Sequence, residues 1–176
     1  MGGLSAPRPG KVLIREYVAD GLTAGFNFTN IPQSYRHLKV LFNGRGLTAA
    51  TQTNLFCQIN GDVAANYMFQ RLQALATAVT STDFTTSTEM SATICGNTAP
   101  ANVADMVEML FADYRGAFQK AALIRGGMQT AAAAGGMNFR QYIWYWKNVA
   151  AINALNIITS PGNLAAGSVI SLYGLA

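Results

Sequence analysis

Thirty-eight residues separate Cys57 from Cys95, the only two thiols of the 176-residue chain, and His37 is its single imidazole. Catalysis at neutral pH needs a nucleophile with a base, a carboxylate pair or a metal set. One histidine on an alternating apolar run, with no advertised partner, reads as a solvent-facing or interface side chain. The cysteines form no Cys-x-x-Cys pair and sit among small and apolar residues, so they read as buried reduced thiols rather than metal ligands. Asp62, Asp83, Glu89, Asp105, Glu108 and Asp113 are scattered, at no spacing that would flank a glycosidic bond. Gly126-Gly127 and Gly135-Gly136 lack the following Lys-Ser or Lys-Thr of a phosphate cradle. The expectation is a non-enzymatic chain with no cofactor, metal or small-molecule substrate.

The remaining chemistry is that of surfaces. Hydrophobic residues make up 51% and charged residues only 11% of the chain, so Thr, Asn, Gln, Ser and Gly carry the polar surface. Such a surface suits a β-sandwich or barrel and tolerates cover by neighbouring subunits. The net charge of +4 is segregated. Residues 1–49 carry six cations against two acids, residues 50–113 one against six, and residues 114–176 five against none. Opposite blocks can steer subunits together or face each other across one sandwich. No run of basic residues predicts nucleic-acid binding. No apolar stretch of 18 residues predicts a membrane span, and Leu4–Ala6 is too short for a signal segment.

Positioning elements follow from alternation. Residues 1–10, rich in Pro and Gly, predict an irregular N-terminal arm, and residues 11–176 a single domain. Strands are expected at 11–18, 26–28, 37–42, 54–59, 105–114, 120–125, 139–146, 152–157 and 169–173. The runs 37–42 and 54–59 imply adjacent strands. Met68, Leu72, Leu75 and Val79 recur at spacings of three and four, so helix competes over 67–79, and 77–93 reads as an exposed loop flanking a strand. Gly126-Gly127 and Gly135-Gly136 bracket an Ala-rich tip, predicting a long Gly-hinged hairpin. In Phe139–Trp146 alternation places Tyr142, Trp144 and Trp146 on one face and Ile143 and Tyr145 on the other. That cluster serves as core, subunit contact or ligand platform.

Several phrases then align with a known pattern. They are Phe26-Asn27-Phe28 with Ile31-Pro32, Tyr35 and His37-Leu38, then Asn60-Gly61-Asp62 with Asn66-Tyr67. Asp113-Tyr114 and the ending Gly162–Ser168 with Leu172-Tyr173-Gly174 complete the series. In order and spacing, over residues 26–175, the chain resembles small virion proteins of tailed bacteriophages. The resemblance implies a jelly-roll-like antiparallel β-sandwich working as a capsid decoration (cement) protein. Its partners would be the major capsid protein and further copies of itself, in a particle assembled in the host cytoplasm. A tail, fibre or baseplate component with a receptor- or glycan-binding role is the alternative. The partner-binding residues expected are Arg8 and Lys11 near the arm, Arg125, Met128 and Arg140 around the hairpin, and Tyr142, Trp144, Tyr145 and Trp146 in the aromatic run.

Overall fold

The computed structural model describes residues 10–131 and 136–176; most of the N-terminal arm, Arg8 included, and the centre of the Ala-rich tip lie outside them. The described residues form twelve strands and no helix: β1 (Lys11–Val18), β2 (Gly25–Phe28), β3 (His37–Gly44), β4 (Gln52–Ile59), β5 (Tyr67–Leu75) and β6 (Ala78–Ser87), followed by β7 (Met90–Cys95), β8 (Asp105–Phe111), β9 (Lys120–Gln129), β10 (Met137–Trp146), β11 (Leu155–Ser160) and β12 (Val169–Leu175). Period-two burial drives the pattern. In β3, Leu38, Val40 and Phe42 are buried while Lys39 and Leu41 face outward, and β4 buries Leu55, Cys57 and Ile59.

The strands pair antiparallel in two sheets, ordered β1-β12-β3-β8-β9-β10-β5-β6 and β2-β11-β4-β7. Setting β5, β6, β9 and β10 aside leaves eight strands in chain order. The first, eighth, third and sixth of these form one sheet, and the second, seventh, fourth and fifth the other. This double Greek-key winding is a jelly roll. The remaining strands are two hairpins, β5–β6 after β4 and β9–β10 after β8, and both extend the larger sheet beyond β8. One apolar cluster between the sheets includes Phe28, Phe42, Tyr67, Phe111, Tyr114, Trp144 and Trp146.

Four expectations change or sharpen. Residues 67–79 are not helical, because β5 is hydrogen-bonded on both edges, to β10 and to β6, and ladder bonds outweigh a weak 3.6-residue periodicity. The Thr-rich loop expected at 77–93 becomes β6 and β7, as β-branched side chains favour. β3 and β4, expected to be neighbours, lie in opposite sheets. The long hairpin is β9–β10, and its ladder runs through both Gly126 and Gly127, paired with Arg140 and Phe139. At Gly126 a Cβ would stand 3.0 Å from the Met106 carbonyl oxygen, so this glycine admits β8 closely.

The phrases of the sequence resemblance turn out to be mutual contacts. Asn60 and Gly61 both adopt left-handed backbone angles, with φ of 54° and 72°, and the Asp62 N–H donates to the Ile59 carbonyl at 2.9 Å, closing the tight turn that Asn-Gly predicts. Asn60 Oδ1 accepts from the N–H groups of Asn153 and Ala154 at 2.9 and 3.0 Å. The Tyr67 hydroxyl donates to the Asp62 carbonyl and accepts from the Ile59 N–H, both at 3.0 Å. Tyr114 donates its hydroxyl to the Pro32 carbonyl, joining two further phrases. Tyr35 lies against Gly174, where a Cβ would stand 2.3 Å from the ring.

Candidate interaction surface

Both cysteines are buried and unpaired. Burial pushes the Cys57 thiol above the ordinary range and Cys95 up to about 12, so neither is a thiolate at neutral pH. His37 accepts at Nδ1 from the Asp113 N–H at 3.0 Å, a role in holding the loop after β8. Among the described residues no group of three or more His, Cys, Asp and Glu side chains could hold a metal ion.

The residues expected to bind a partner divide by the pleat. Tyr142, Trp144 and Trp146 point inward and are buried, as is Met128; the aromatic run is mainly core. Phe69 sits 4.3 Å from Trp144 between ring centroids and edge-on to Tyr142 at 5.8 Å. Tyr145 stands on the outer face, more than a third exposed. Lys11, exposed on β1, places its ammonium 3.8 Å from the centre of the Tyr173 ring. Arg125 is outward and Arg140 inward. The eight of these residues that are described therefore do not converge on one patch; Arg8 lies outside the described residues.

What does converge is the outer face of β8-β9-β10-β5-β6. Because residues directly opposite in a ladder share a face, the registers define rows across five strands. One row runs Met106, Gly127, Phe139, Ala74, Val79. Its large members are exposed, Met106 by 58%, Phe139 by 46% and Val79 by 67%. Another begins Leu110, Leu123, Ile143. Between them lies the row Glu108, Arg125, Gln141, Leu72. Glu108 is clasped there by Lys39 at 2.6 Å and by Arg125 through Nε at 2.9 Å and Nη2 at 2.8 Å. Burial opposes the Glu108 charge, yet the bonds from Lys39 and Arg125 prevail and hold its carboxyl below the usual range. One member of each of the three charge blocks thus meets in this cluster. The face carries apolar side chains on either side of a charged row, and among the described residues no other element covers it.

Alternation in 139–146 already separates Ile143 and Tyr145 from the tryptophans. The contribution of Met106, Leu72 and Val79 depends on which strands become neighbours, which no local pattern states. Comparison of the chain with protein families, curated proteins and solved structures gives no match.

Proposed function

We propose that the chain is a non-enzymatic structural protein of a bacteriophage virion, a decoration protein that seats on the shell of the major capsid protein. The observation that carries this reading is the unpartnered outer face of the β8-β9-β10-β5-β6 extension. Exposed apolar rows of this kind on a chain with few charges mark an assembly contact. The phage-like phrases support the same reading, and jelly rolls are frequent among viral shell proteins, an argument by analogy of fold. Attachment would come from burying the Met106–Val79 and Leu110–Ile143 rows, with Glu108 already paired to Lys39 and Arg125 so that no lone carboxylate is desolvated. Repetition over a lattice would multiply weak single contacts.

The test is rebinding to purified shells stripped of this protein. Phe139→Ser with Ile143→Ser should fold as the parent does but fail to occupy the shell or raise its melting temperature. Parent-like occupancy would end the proposal. Copy number by quantitative mass spectrometry separates the two virion readings. Hundreds of copies per particle indicate a shell-wide role, while a few to a few tens indicate a tail, fibre or baseplate component.

A further inference from the structure

Two open sheets have four edge strands, and an edge offers unpaired N–H and C=O groups to any strand laid beside it. Here the edges are β1 and β6 of the larger sheet and β2 and β7 of the smaller. Three are guarded. β1 carries Lys11, Arg15 and Glu16, and its ladder with β12 is interrupted between Leu13 and Arg15. β2 is only four residues long, and β7 has five of its six residues buried. β6 has none of these protections. It runs for ten residues, Ala78–Ser87, eight of them exposed, with no proline, lysine or arginine and with Asp83 as its one charge. Its Thr, Val and Phe residues favour extended chain. Among the described residues β5 is the only strand paired with it.

The residues of β6 also select the strand that fits this edge. The β5–β6 ladder is regular from Ala78, opposite Leu75, to Phe84, opposite Phe69, and its register shifts between there and Ser87. A regular edge of seven residues is therefore open to a further strand. When an edge pairs antiparallel with the same edge of a second copy, the two-fold axis stands perpendicular to the sheet, and each residue meets one that points to its own face. An axis at Ser81, the midpoint, engages all seven residues. Ala78 then lies opposite Phe84 of the second copy, Val79 opposite Asp83, Thr80 opposite Thr82, and Ser81 opposite itself. Thr–Thr pairs stabilise antiparallel ladders, and like charges directly opposite destabilise them. In this register the carboxylate of Asp83 meets Val79 and not its own copy. The Phe84 ring, stacked on Phe69 at 5.7 Å between centroids yet 54% exposed, gains the small Ala78 as a neighbour to cover. Moving the axis to Thr80 or Thr82 leaves five paired residues, and moving it to Asp83 sets two carboxylates face to face.

We propose that β6 is a self-pairing edge, through which two copies of this chain join their larger sheets antiparallel about a two-fold axis at Ser81. Two eight-stranded sheets become one continuous sheet. Because the axis is perpendicular to that sheet, the outer faces of both copies, each with its Met106–Val79 row, look in the same direction. An edge contact is small beside a permanent interface, so the dimer exchanges with monomer at a dissociation constant of about 1–100 μM. The inference stands whatever the outer face binds, since it concerns the chain alone in solution.

The experiment is analytical ultracentrifugation of the full chain over about 1–500 μM, a range that brackets that constant. The expected result is a reversible monomer–dimer equilibrium, lost in Ser81→Lys, which sets two ammonium groups opposite each other at the axis while changing only an exposed side chain. Cross-linking reads the register. Both native thiols are buried, so a short bis-maleimide should join Ser81→Cys into a covalent dimer. It should leave Asp83→Cys unjoined, because the two copies of that position lie about 14 Å apart, four residues along the ladder. The wild-type amides of residues 78–84 give a readout free of any variant: their deuterium exchange should slow as concentration rises. A chain that stays monomeric over the whole range leaves the edge to a strand of another protein and overturns the proposal. So does a dimer that persists in Ser81→Lys, or cross-linking of Asp83→Cys as fast as that of Ser81→Cys.

Discussion

The indole Nε1 of Trp146 donates to a carboxylate oxygen of Asp62 at 2.6 Å, tying the end of β10 to the turn that leaves β4. The same carboxylate accepts from the Asn66 side chain and the Ala64 N–H, each at 2.9 Å. One acidic residue thereby joins the inserted β9–β10 hairpin to the jelly roll proper.

Burial works against the Asp62 charge, but the bonds from Trp146, Asn66 and Ala64 outweigh it and lower its pKa below 3.8. A carboxylate depressed in the folded state contributes stability that is complete above its unfolded pKa and is lost as pH falls through the folded one. Asp62→Ala is expected to cost about 1.5–3 kcal/mol at pH 7, as for other hydrogen bonds to charged groups, and to flatten the decline of stability below about pH 4. Urea melts across that range, with Trp fluorescence as the signal, check both. A variant as stable as its parent at pH 7 would remove Asp62 from this role.

Asp105 behaves in the opposite sense. Burial dominates and raises its pKa above 3.8 despite the bond from the Cys95 N–H, and its Oδ1 is buried without a partner. An acid raised in the folded state costs stability as pH climbs from its unfolded pKa to its folded one. Asp105→Asn should therefore raise the melting temperature at pH 7 and change it little at pH 3 or below. A lower melting temperature at pH 7 would contradict this account.

Gly174→Ala forces a methyl into the Tyr35 ring, so overpacking should destabilise by about 1–3 kcal/mol. Adding Tyr35→Leu, which thins that side chain, is expected to recover part of the loss. A double-mutant cycle measures the coupling, and strictly additive effects would mean that the two phrases do not depend on each other.

Trp144→Ala and Phe139→Ser change aromatic residues five positions apart on opposite faces of β10. The first empties a fully buried site and should cost about 3–5 kcal/mol, enough to unfold much of the population. The second, on the outer face, should stay within about 1 kcal/mol of the parent. Comparable losses in chemical denaturation would show that the outer face is not free.

The sequence by itself determined the all-β class, most strand positions and the placing of Tyr142, Trp144 and Trp146 on one face of their strand, because a pleat of period two is a local property; that this face points inward was decided by the tertiary structure. It also carried the Asn60-Gly61 turn and the burial of both thiols, which follow from backbone freedom and neighbouring residue types. Only the tertiary structure decided that β3 and β4 part into opposite sheets, and that Tyr67–Leu75 becomes a strand between β10 and β6. It alone placed Met106, Phe139 and Val79 in one row and left β6 at the edge of the larger sheet. Strand neighbours and register depend on pairings tens of residues apart in sequence, chosen by how the whole core packs, and alternation along one segment carries no information about them.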